Sequence, residues 1–554
     1  MAEPERRFSF RRREISAREG ETALSALAHD GVPLLRRSIR YHRPQGTFCG
    51  IGHCAGCLVR VNGRPNVRAC RYEPAAGDAI TTENAWPSPR WDLLGAIGFF
   101  APGGIDTLHG LRRPAVATPL YQRFVRWLSG TGDPPDEAAA RSLTTPAIER
   151  SAEVVVIGAG AAGRAVAGSL VARGMRPVVI ERALRASPLA GAELLPATTA
   201  VFLPPPQDDG GPRFTLLAFR EPAQGVRFET KSVVIATGGY DATLIFGGND
   251  RPGVMSADAA LSLSAPPFGP RFRRAVLVGG GHRSAEVLAR CGDAVEAVVA
   301  PGEIRPEVVR AAADLGIPLF PRSLLLRTEG RARVRAVRIR ARGGGARTRI
   351  ACDAVVLAHR RVPHVQLFFQ AGASMEWNSS VGAYFPVVRE NGATSVAGLF
   401  AAGAAAVDEP TEFSHRADAI AEAVARAGAA EEAPVRRPSE APPTELLGYY
   451  RELLRERGHG RWVACPCEDV LLAEVEEAVR RGYRGIEVVK RYTSLGTGIC
   501  QGRYCLPDAL LLLSLLEERA PSEVGYITQR PPVVPTPLAA LAALPLSASP
   551  EPVA

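Results

Sequence analysis

The chain has 554 residues, 46% hydrophobic and 22% charged, a balance that excludes a disordered tail and leaves room for about two to four domains. Lysine plus arginine exceeds aspartate plus glutamate by 67 − 57 = +10, but only Lys231 and Lys490 are lysines and the arginines are scattered, so no nucleic-acid stripe forms and no nucleic-acid partner is expected. No run reaches the roughly 18 apolar residues of a membrane helix, and the start MAEPERRFSFRRRE lacks the apolar core of a secretory signal, so the expected location is cytoplasmic with no membrane span.

The ten cysteines are clumped. Cys49, Cys54, Cys57 and Cys70 lie near the start, and Cys465, Cys467, Cys500 and Cys505 near the end, with Cys291 and Cys352 alone between them. Two groups of four point to two metal sites. Disulfides are the competing reading, disfavoured in a long chain expected in a reducing compartment. The first group, FCGIGHCAGCLVRVNGRPNVRAC, is spaced C-x4-C-x2-C-x12-C, and its first three thiols match the spacing by which plant-type ferredoxins hold a two-iron cluster. Glycines at 50, 52 and 56 let backbone amides turn toward sulfur. Alternation around Asn62-Gly63 predicts a hairpin whose second strand ends at Cys70. Zinc is the alternative, although zinc ribbons pair two short knuckles instead of one three-cysteine loop. His53 is read as solvated or sulfur-bonding, with a Rieske-like ligand role as the alternative.

SIRYHRPQG before this loop and NAWPSPRWDL after it resemble the N-terminal region of sarcosine oxidase alpha subunits. The loop itself resembles the small ferredoxin-like subunit of hydrogen cyanide synthase and of related opine and proline dehydrogenases. The resemblance implies a β-grasp 2Fe-2S ferredoxin-like domain over 1–90. A connector follows over 91–150, in which WDLLGAIGFFAPGGIDTLHG is read as packing or subunit-contact surface.

Residues 153–182 give an apolar strand, G-x-G-x-x-G at Gly158, Gly160 and Gly163, an alanine-rich helix, and a second strand ending in Glu181. This is a complete dinucleotide-binding unit: the glycines admit a pyrophosphate to the helix N-terminus, and the acid can accept ribose hydroxyls. SVVIATGGYDATLIFGGNDRPGVMSADAAL and TSVAGLFAAGAAAVDEP resemble segments of two-dinucleotide-fold flavoproteins. That resemblance implies FAD, with Thr237, Gly238 and Gly403 among its contacts. Two departures are visible: Ala404 stands where an aspartate commonly meets the ribityl chain, and the stretch from Glu181 to Thr237, with its loop LPPPQDDGGP, is short and lacks a Gly-Gly-Gln-like flavin contact.

RAVLVGGGHRSAEVLARCG starts a second nucleotide fold at about 271–358, with Gly279 and Gly281 in place but Ser284 where a third glycine or alanine is usual. Its second strand ends without an acid or arginine suited to a nicotinamide ribose. The preferred reading is a retained architecture, with NAD(P) binding as the alternative. Cys291 and Cys352 are read as buried small hydrophobes, and His359, Arg360 and Arg361 as a solvated loop, with a substrate clamp as the alternative.

After the break EEAPVRRPSEAPPTE, the second cysteine group is spaced C-x1-C, x32, C-x4-C. The break predicts an independent unit. An amphipathic helix is expected to include Val470, Leu471, Val475 and Val479, and helix N-termini beside both thiol pairs would favour an anionic cluster. The strings C-x-C-E-D-V and G-I-C-Q-G-R-Y-C resemble the bacterioferritin-associated-ferredoxin-like (BFD-like) domain of cyanide synthase, opine and proline dehydrogenase large subunits. A second 2Fe-2S cluster is thereby implied.

The expected fold is multidomain α/β with α+β: the β-grasp domain, a Rossmann-like two-dinucleotide core over 151–430, the helical BFD-like domain over 455–515 and a Pro-rich tail over 516–554. No catalytic acid, base or nucleophile can be named. The resemblance implies an alpha-type electron-transfer subunit of an amine or imino-acid dehydrogenase or oxidase, of the sarcosine, proline or hydroxyproline, opine or glycine class. Its implied partners are a small-molecule or protein electron acceptor and an FAD-containing amine-oxidising subunit. The alternatives are a self-sufficient NAD(P)H-dependent ferredoxin or dye reductase, and a non-catalytic iron–sulfur scaffold with a degenerate flavin site.

Overall fold

The computed structural model describes residues 6–96, 147–203, 214–220, 224–265, 269–406, 416–426, 434–435 and 445–536, with isolated positions between 119 and 138 and at 541. Most of the connector, the loop LPPPQDDGGP beyond its first residue and the end of the tail lie outside the described residues. Among the described residues no helix is long and apolar enough to cross a membrane.

Alternation in RRFSF and REISA turns Phe8, Phe10, Ile15 and Ala17 inward, and strands Arg6–Phe10 and Arg13–Ala17 pair antiparallel. The first strand also pairs parallel with Ala79–Thr82, which adjoins the hairpin of Leu58–Val61 and Arg64–Arg68. Asn62 and Gly63 take φ of 49° and 84°, as a two-residue turn matching strand twist requires. Helix Ala23–His29, N-capped by the Thr22 side chain, sets Leu24 and Leu27 into the same core as Val59 and Ile80. This five-stranded mixed sheet with its helix is the β-grasp fold.

The chain divides into two compact units. The first comprises residues 1–133, 241–361 and 444–526; the second comprises 134–240, 362–443 and 527–554. The core expected as one domain over 151–430 is therefore shared between them.

In the first unit the apolar runs AVLV and AVVL are buried on both faces, as a parallel strand demands. Strands Val254–Ser256, Ala354–Leu357, Ala275–Val278, Val295–Val299 and Leu319–Phe320 form a parallel sheet in that order. Helices His282–Cys291 and Pro306–Asp314 bury Val287, Leu288 and Val308 in its core. The C-terminal segment adds helices Leu446–Leu453, Leu472–Arg480, Ile486–Thr493 and Leu506–Glu517. Val470 and Leu471, expected in a helix, instead form a short strand against Val463–Cys465. Helix begins at Leu472, and Leu472, Val475, Ala478 and Val479 form its buried face.

The C-terminal segment is not the independent unit that its proline-rich boundary predicts. Asn249 Nδ2 donates to the Val463 carbonyl at 2.9 Å, and Arg340 and Arg342 pair with Glu456, Glu445 and Glu452. Arg360 and Asp508 form a buried pair at 2.5 Å, and Thr243 Oγ1 donates to the same carboxylate at 2.9 Å. Arg360 is thus a buried structural cation and not part of a solvated loop. Arg360→Met is expected to destabilise the chain by about 3–5 kcal/mol by leaving the Asp508 charge buried and uncompensated. Chemical denaturation of the single and the Arg360→Met/Asp508→Leu double variant measures this, the double variant being expected to recover much of the loss.

In the second unit, alternate residues of one strand serve two layers. Val155 and Ile157 pack with Leu216 and Phe228, while Val154 and Val156 pack with Val166, Leu170 and Ile420. The parallel sheet runs Glu193–Leu195, Val178–Ile180, Val155–Ile157, Val233–Ile235, Leu399–Ala401. Helices Ala161–Ala172 and Ala417–Ala425 contribute to one layer. To the other layer contributes a four-stranded sheet in the order Thr198–Leu203, Phe214–Arg220, Gln224–Thr230, Ile148–Ala152. Both Rossmann-like folds expected from the glycine motifs are present.

Candidate functional site

The loop before the first hairpin brings Cys49, Cys54 and Cys57 to Cys70, which sits in a single helical turn, Ala69–Arg71, just past the second strand. All four thiols are buried. The Sγ atoms of Cys57 and Cys70 are 3.4 Å apart, and the Cys49 thiol faces those of Cys54 and Cys70. Backbone N–H groups turn inward: His53 and Cys54 donate to Cys49 Sγ at 3.4 Å each, and Gly56 to Cys54 Sγ at 3.4 Å. Close approach needs glycine at 56, where a Cβ would meet the Gly46 carbonyl oxygen at 2.3 Å. His53 is buried, not solvated.

At the other end of the chain, Cys465 closes a strand, Cys467 follows one residue beyond Pro466, and Cys505 stands at the N-cap of helix Leu506–Glu517. Cys465 faces Cys505, and Cys467 faces Cys500. The Cys467 thiol, helped by the backbone N–H groups of Tyr504 and Gly502, holds the Cys500 thiol down at about 7 against its burial. Each facing pair joins one thiol of C-x1-C to one of C-x4-C. A Cβ at Gly498 would lie 2.6 Å from Cys467 Cβ and 2.8 Å from Glu468 Oε1. Gly498→Ala is therefore expected to push the two loops apart and abolish metal retention by the C-terminal quartet alone. Were each quartet to hold a two-iron cluster, iron and acid-labile sulfide would fall to about half of wild type.

Sulfurs meeting two by two fit a cluster in which each of two irons takes two thiolates. Among the described residues, no three or more His, Cys, Asp or Glu side chains gather as a site for one metal ion. Both quartets open on one cavity, lined by Cys54 from the first and Cys465, Cys467, Cys500 and Cys505 from the second, with Phe48, Pro252, Val254 and Tyr504 between. The segments around it are locked together: Asp469 Oδ2 accepts from the Arg40 and Tyr41 N–H groups at 3.0 and 3.2 Å, Gln45 Nε2 donates to the Pro466 carbonyl at 2.9 Å, and Arg40 pairs with Glu474 at 2.6 Å. The Arg36 guanidinium is buried close enough to feel both Cys467 and Cys54.

In the second unit the three motif glycines do three different jobs. Gly158 takes φ +112°, and a Cβ there would strike the Ala236 carbonyl oxygen at 2.3 Å; at Gly163 it would lie 1.9 Å from the Gly158 carbonyl oxygen. Gly160, the helix N-cap, faces open space. Glu181 accepts from the Ala159 N–H at 2.6 Å and from the Ala183 N–H at 2.6 Å, so its carboxylate stands at the lip of the glycine turn. A Cβ at Gly403 would lie 2.6 Å from Ala162 Cβ, and one at Gly158 3.3 Å from the Thr237 nitrogen. The structure thus gathers Gly158, Gly160, Gly163, Glu181, Thr237, neighbouring Gly238 and Gly403. Thr237 Oγ1 is buried without a hydrogen-bond partner among the described residues. Such an orphan fits a polar ligand, and the cradle fits a dinucleotide pyrophosphate. Ala404 lies in the turn Gly403–Ala405 and offers no carboxylate to a ribityl chain.

The first unit's nucleotide turn is also formed. A Cβ at Gly279 would strike the Ala358 backbone at 2.6 Å, Gly281 faces open space, and Ser284 is fully buried. His359 beside it is pushed down to about 3 by burial and by the Arg360 charge, and is neutral at neutral pH. Cys291 ends its helix and Cys352 precedes a strand; both are buried, with Cys352 pushed up to about 12 by desolvation first and Asp353 second. These are inert thiols. Sequence reasoning missed Phe48 and Tyr504, which line the cavity, and Arg36, buried within the influence of Cys467 and Cys54, although none carries metal-ligand chemistry. For Tyr504 and Phe48 a signal existed in their positions next to Cys505 and Cys49.

Residues 6–85 match the 2Fe-2S iron-sulfur cluster binding domain family, 208–427 the Pyridine nucleotide-disulphide oxidoreductase family and 460–544 the Sarcosine oxidase A3 domain. The sarcosine oxidase alpha subunit of Rhizobium meliloti (strain 1021) is 28% identical over 96% of this chain and 57% of its own length. An opine oxidase subunit of Agrobacterium tumefaciens (strain Ach5) is 28% identical over 58% of this chain and 71% of its own. The chain spans about half the length of curated sarcosine oxidase alpha subunits that it matches end to end. The crystal structure of L-proline dehydrogenase from P. horikoshii shares the fold, with a TM-score of 0.66 at 20% identity over 97% of both chains. By these matches the chain is homologous to sarcosine oxidase alpha subunits across most of its length, with a match to a 2Fe-2S cluster binding domain ahead of its Rossmann-like core.

Proposed function

We propose that this chain is the electron-transferring, alpha-type subunit of a flavin and iron–sulfur dehydrogenase or oxidase acting on an amine or imino acid. The observation that carries the reading is the pairing of eight thiols, seven buried and Cys467 half-buried, in two cradles opening on one cavity. Cys49, Cys54, Cys57 and Cys70 would hold one 2Fe-2S cluster, and Cys465, Cys467, Cys500 and Cys505 a second. Gly158, Gly160 and Gly163 would admit the pyrophosphate of FAD, with Glu181 at its ribose and Thr237, Gly238 and Gly403 nearby. When bound, a flavin accepts electrons two at a time and gives them up singly, matching a two-electron oxidation to one-electron clusters.

The protein's own residues bury the thiols, aim N–H groups at sulfur and keep the two cradles in register. In this reading a separate FAD-containing subunit carries substrate specificity. The similarity to proteins named as subunits of sarcosine and opine oxidases supports the same division of labour. Anaerobic purification from the native host, followed by iron, sulfide and flavin analysis and identification of co-purifying chains, tests the reading. A second flavoprotein at fixed ratio, with amine-dependent reduction of this chain, is the expected result. Purified chain that is reduced by an amine without any partner would contradict it.

The formed turn at Gly279 and Gly281 favours one second reading, an NAD(P)H-dependent reductase. Rapid flavin bleaching by NADH in the isolated chain would support that reading; no bleaching is expected, because the strand Val295–Val299 ends without a ribose-binding acid or arginine.

A further inference from the structure

One peptide unit in the first cysteine loop is gripped at both ends. Its N–H, that of Gly56, donates to Cys54 Sγ at 3.4 Å, and its carbonyl, that of Ala55, accepts from Arg36 Nη1 at 3.2 Å. The Leu58 N–H donates to the same carbonyl at 3.3 Å. Arg36 is only 4% exposed, and its Nε donates to the Arg37 carbonyl at 3.3 Å. Its short strand, Arg36–Arg37, pairs antiparallel with Pro44–Gln45. Just past that partner strand, the Gly46 carbonyl oxygen stands where a Cβ of Gly56 would fall. A two-residue ladder therefore brackets the Ala55–Gly56 peptide, with a buried cation on its carbonyl and backbone packed against its other end.

We propose that Arg36 is a positioning residue of the N-terminal quartet, which holds and polarises the Ala55–Gly56 peptide so that the Gly56 N–H stays on the Cys54 sulfur, and thereby raises the reduction potential of the cluster bound there. The proposal rests on the reading that this quartet holds a two-iron cluster. Reduction adds one electron to an already anionic group, and donors on its sulfurs stabilise the added charge. Linked hydrogen bonds polarise one another, so a guanidinium drawing on the carbonyl makes the N–H of the same peptide a stronger donor, and burial strengthens the effect. The planar guanidinium, with Nε and Nη1 both in use, is fixed in direction; the ammonium of a lysine keeps the charge but not the fork.

The test uses anaerobically purified full-length chain as wild type, Arg36→Lys and Arg36→Gln, expressed with nitrogen-15 glycine and unlabelled serine and cysteine. Each is titrated with dithionite and followed by EPR, and a Cys57→Ala chain, in which only the C-terminal quartet is complete, assigns the signals. Iron and sulfide are measured first; a wild-type chain without the N-terminal cluster overturns the underlying reading and the proposal together. With that cluster present, wild type should show a glycine nitrogen-15 coupling to it once reduced, because Gly56 is the glycine whose N–H meets a sulfur of this quartet among the described residues. No such coupling overturns the proposal alone. Arg36→Gln is expected to weaken the coupling and to move the N-terminal midpoint to more negative potential, by about tenfold in the one-electron equilibrium or about 59 mV. The C-terminal midpoint should move less, and Arg36→Lys should fall between Arg36→Gln and wild type. An unchanged N-terminal midpoint in Arg36→Gln, an equal shift of both clusters, or an Arg36→Lys chain shifted as far as Arg36→Gln overturns the proposal. Should Arg36→Gln lose the N-terminal cluster, Arg36→Lys carries the test: a midpoint below wild type supports the proposal and an unchanged one overturns it. Loss of N-terminal iron from both variants would make Arg36 a determinant of assembly instead of potential, and also overturns it.

Discussion

Cys57→Ala is expected to remove the N-terminal cluster and leave the C-terminal one, so that iron and acid-labile sulfide per chain fall to about half while flavin content holds. The Cys57 and Cys70 sulfurs are 3.4 Å apart, so losing one leaves a single thiolate where an iron needs two. The substitution itself is mild: Cys57 lies 2% exposed in a core with Leu27, Val59 and Ile80, and a thiol exchanged for a methyl creates little void. The larger effect comes through linkage, because free energy of cluster binding contributes to folding of the loop that holds it. Thermal unfolding should therefore begin earlier in the N-terminal domain. The C-terminal quartet draws its sulfurs from residues 465–505 and should keep its spectrum. Loss of all iron from Cys57→Ala would contradict two separately held clusters.

The second large effect concerns the glycine cradle, where two neighbouring substitutions should separate folding from binding. Gly163→Val places side-chain atoms where the Gly158 carbonyl oxygen lies 1.9 Å from even a Cβ. The Gly158 backbone on one side and Ala236 Cβ at 3.3 Å leave the helix no room except to move off the sheet, costing on the order of 1–3 kcal/mol or more and abolishing flavin retention. Gly160→Ala differs. Its φ of −70° suits alanine and its Cβ would meet nothing within 4 Å, so stability should hold within about 0.5 kcal/mol. The open space at Gly160 is where a pyrophosphate must approach, so flavin affinity should fall by about tenfold or more, equivalent to about 1.4 kcal/mol. Melting curves and released flavin per chain measure both. A Gly160→Ala chain that stays fully yellow would place the cofactor elsewhere.

Much of this site was legible in the sequence, since cluster ligands and phosphate cradles are built from short-range spacing. The thiols from Cys49 to Cys70 and the glycines from Gly158 to Gly163 lie on single turns or hairpins, where chain geometry alone decides what meets. What sequence could not give was tertiary. Arg360, in a run of polar residues after a strand, reads as solvated until Asp508, 148 positions later, is brought against it. The proline-rich break before residue 445 reads as a linker, yet Asn249, Arg340 and Arg342 bind the segment that follows. Val470 and Leu471 carry a helical pattern, but pairing with Val463–Cys465 draws them into extended backbone. The alignment of one quartet with the other through Phe48 and Tyr504 depends on residues 48 and 504 meeting, which no local pattern encodes.

An electron path through this chain requires that its eight paired thiols hold inorganic iron–sulfur clusters. Mössbauer spectroscopy of the anaerobically purified, iron-57-enriched full-length chain, with total iron and labile sulfide on the same sample, reads the form of the metal. Two clusters of about two irons each predict about four irons and four sulfides per chain, all in oxidised two-iron form and divided equally between two environments. Iron in a single environment at half that content would remove the second cluster. Zinc in either quartet, or disulfides among its cysteines, would contradict the electron path altogether.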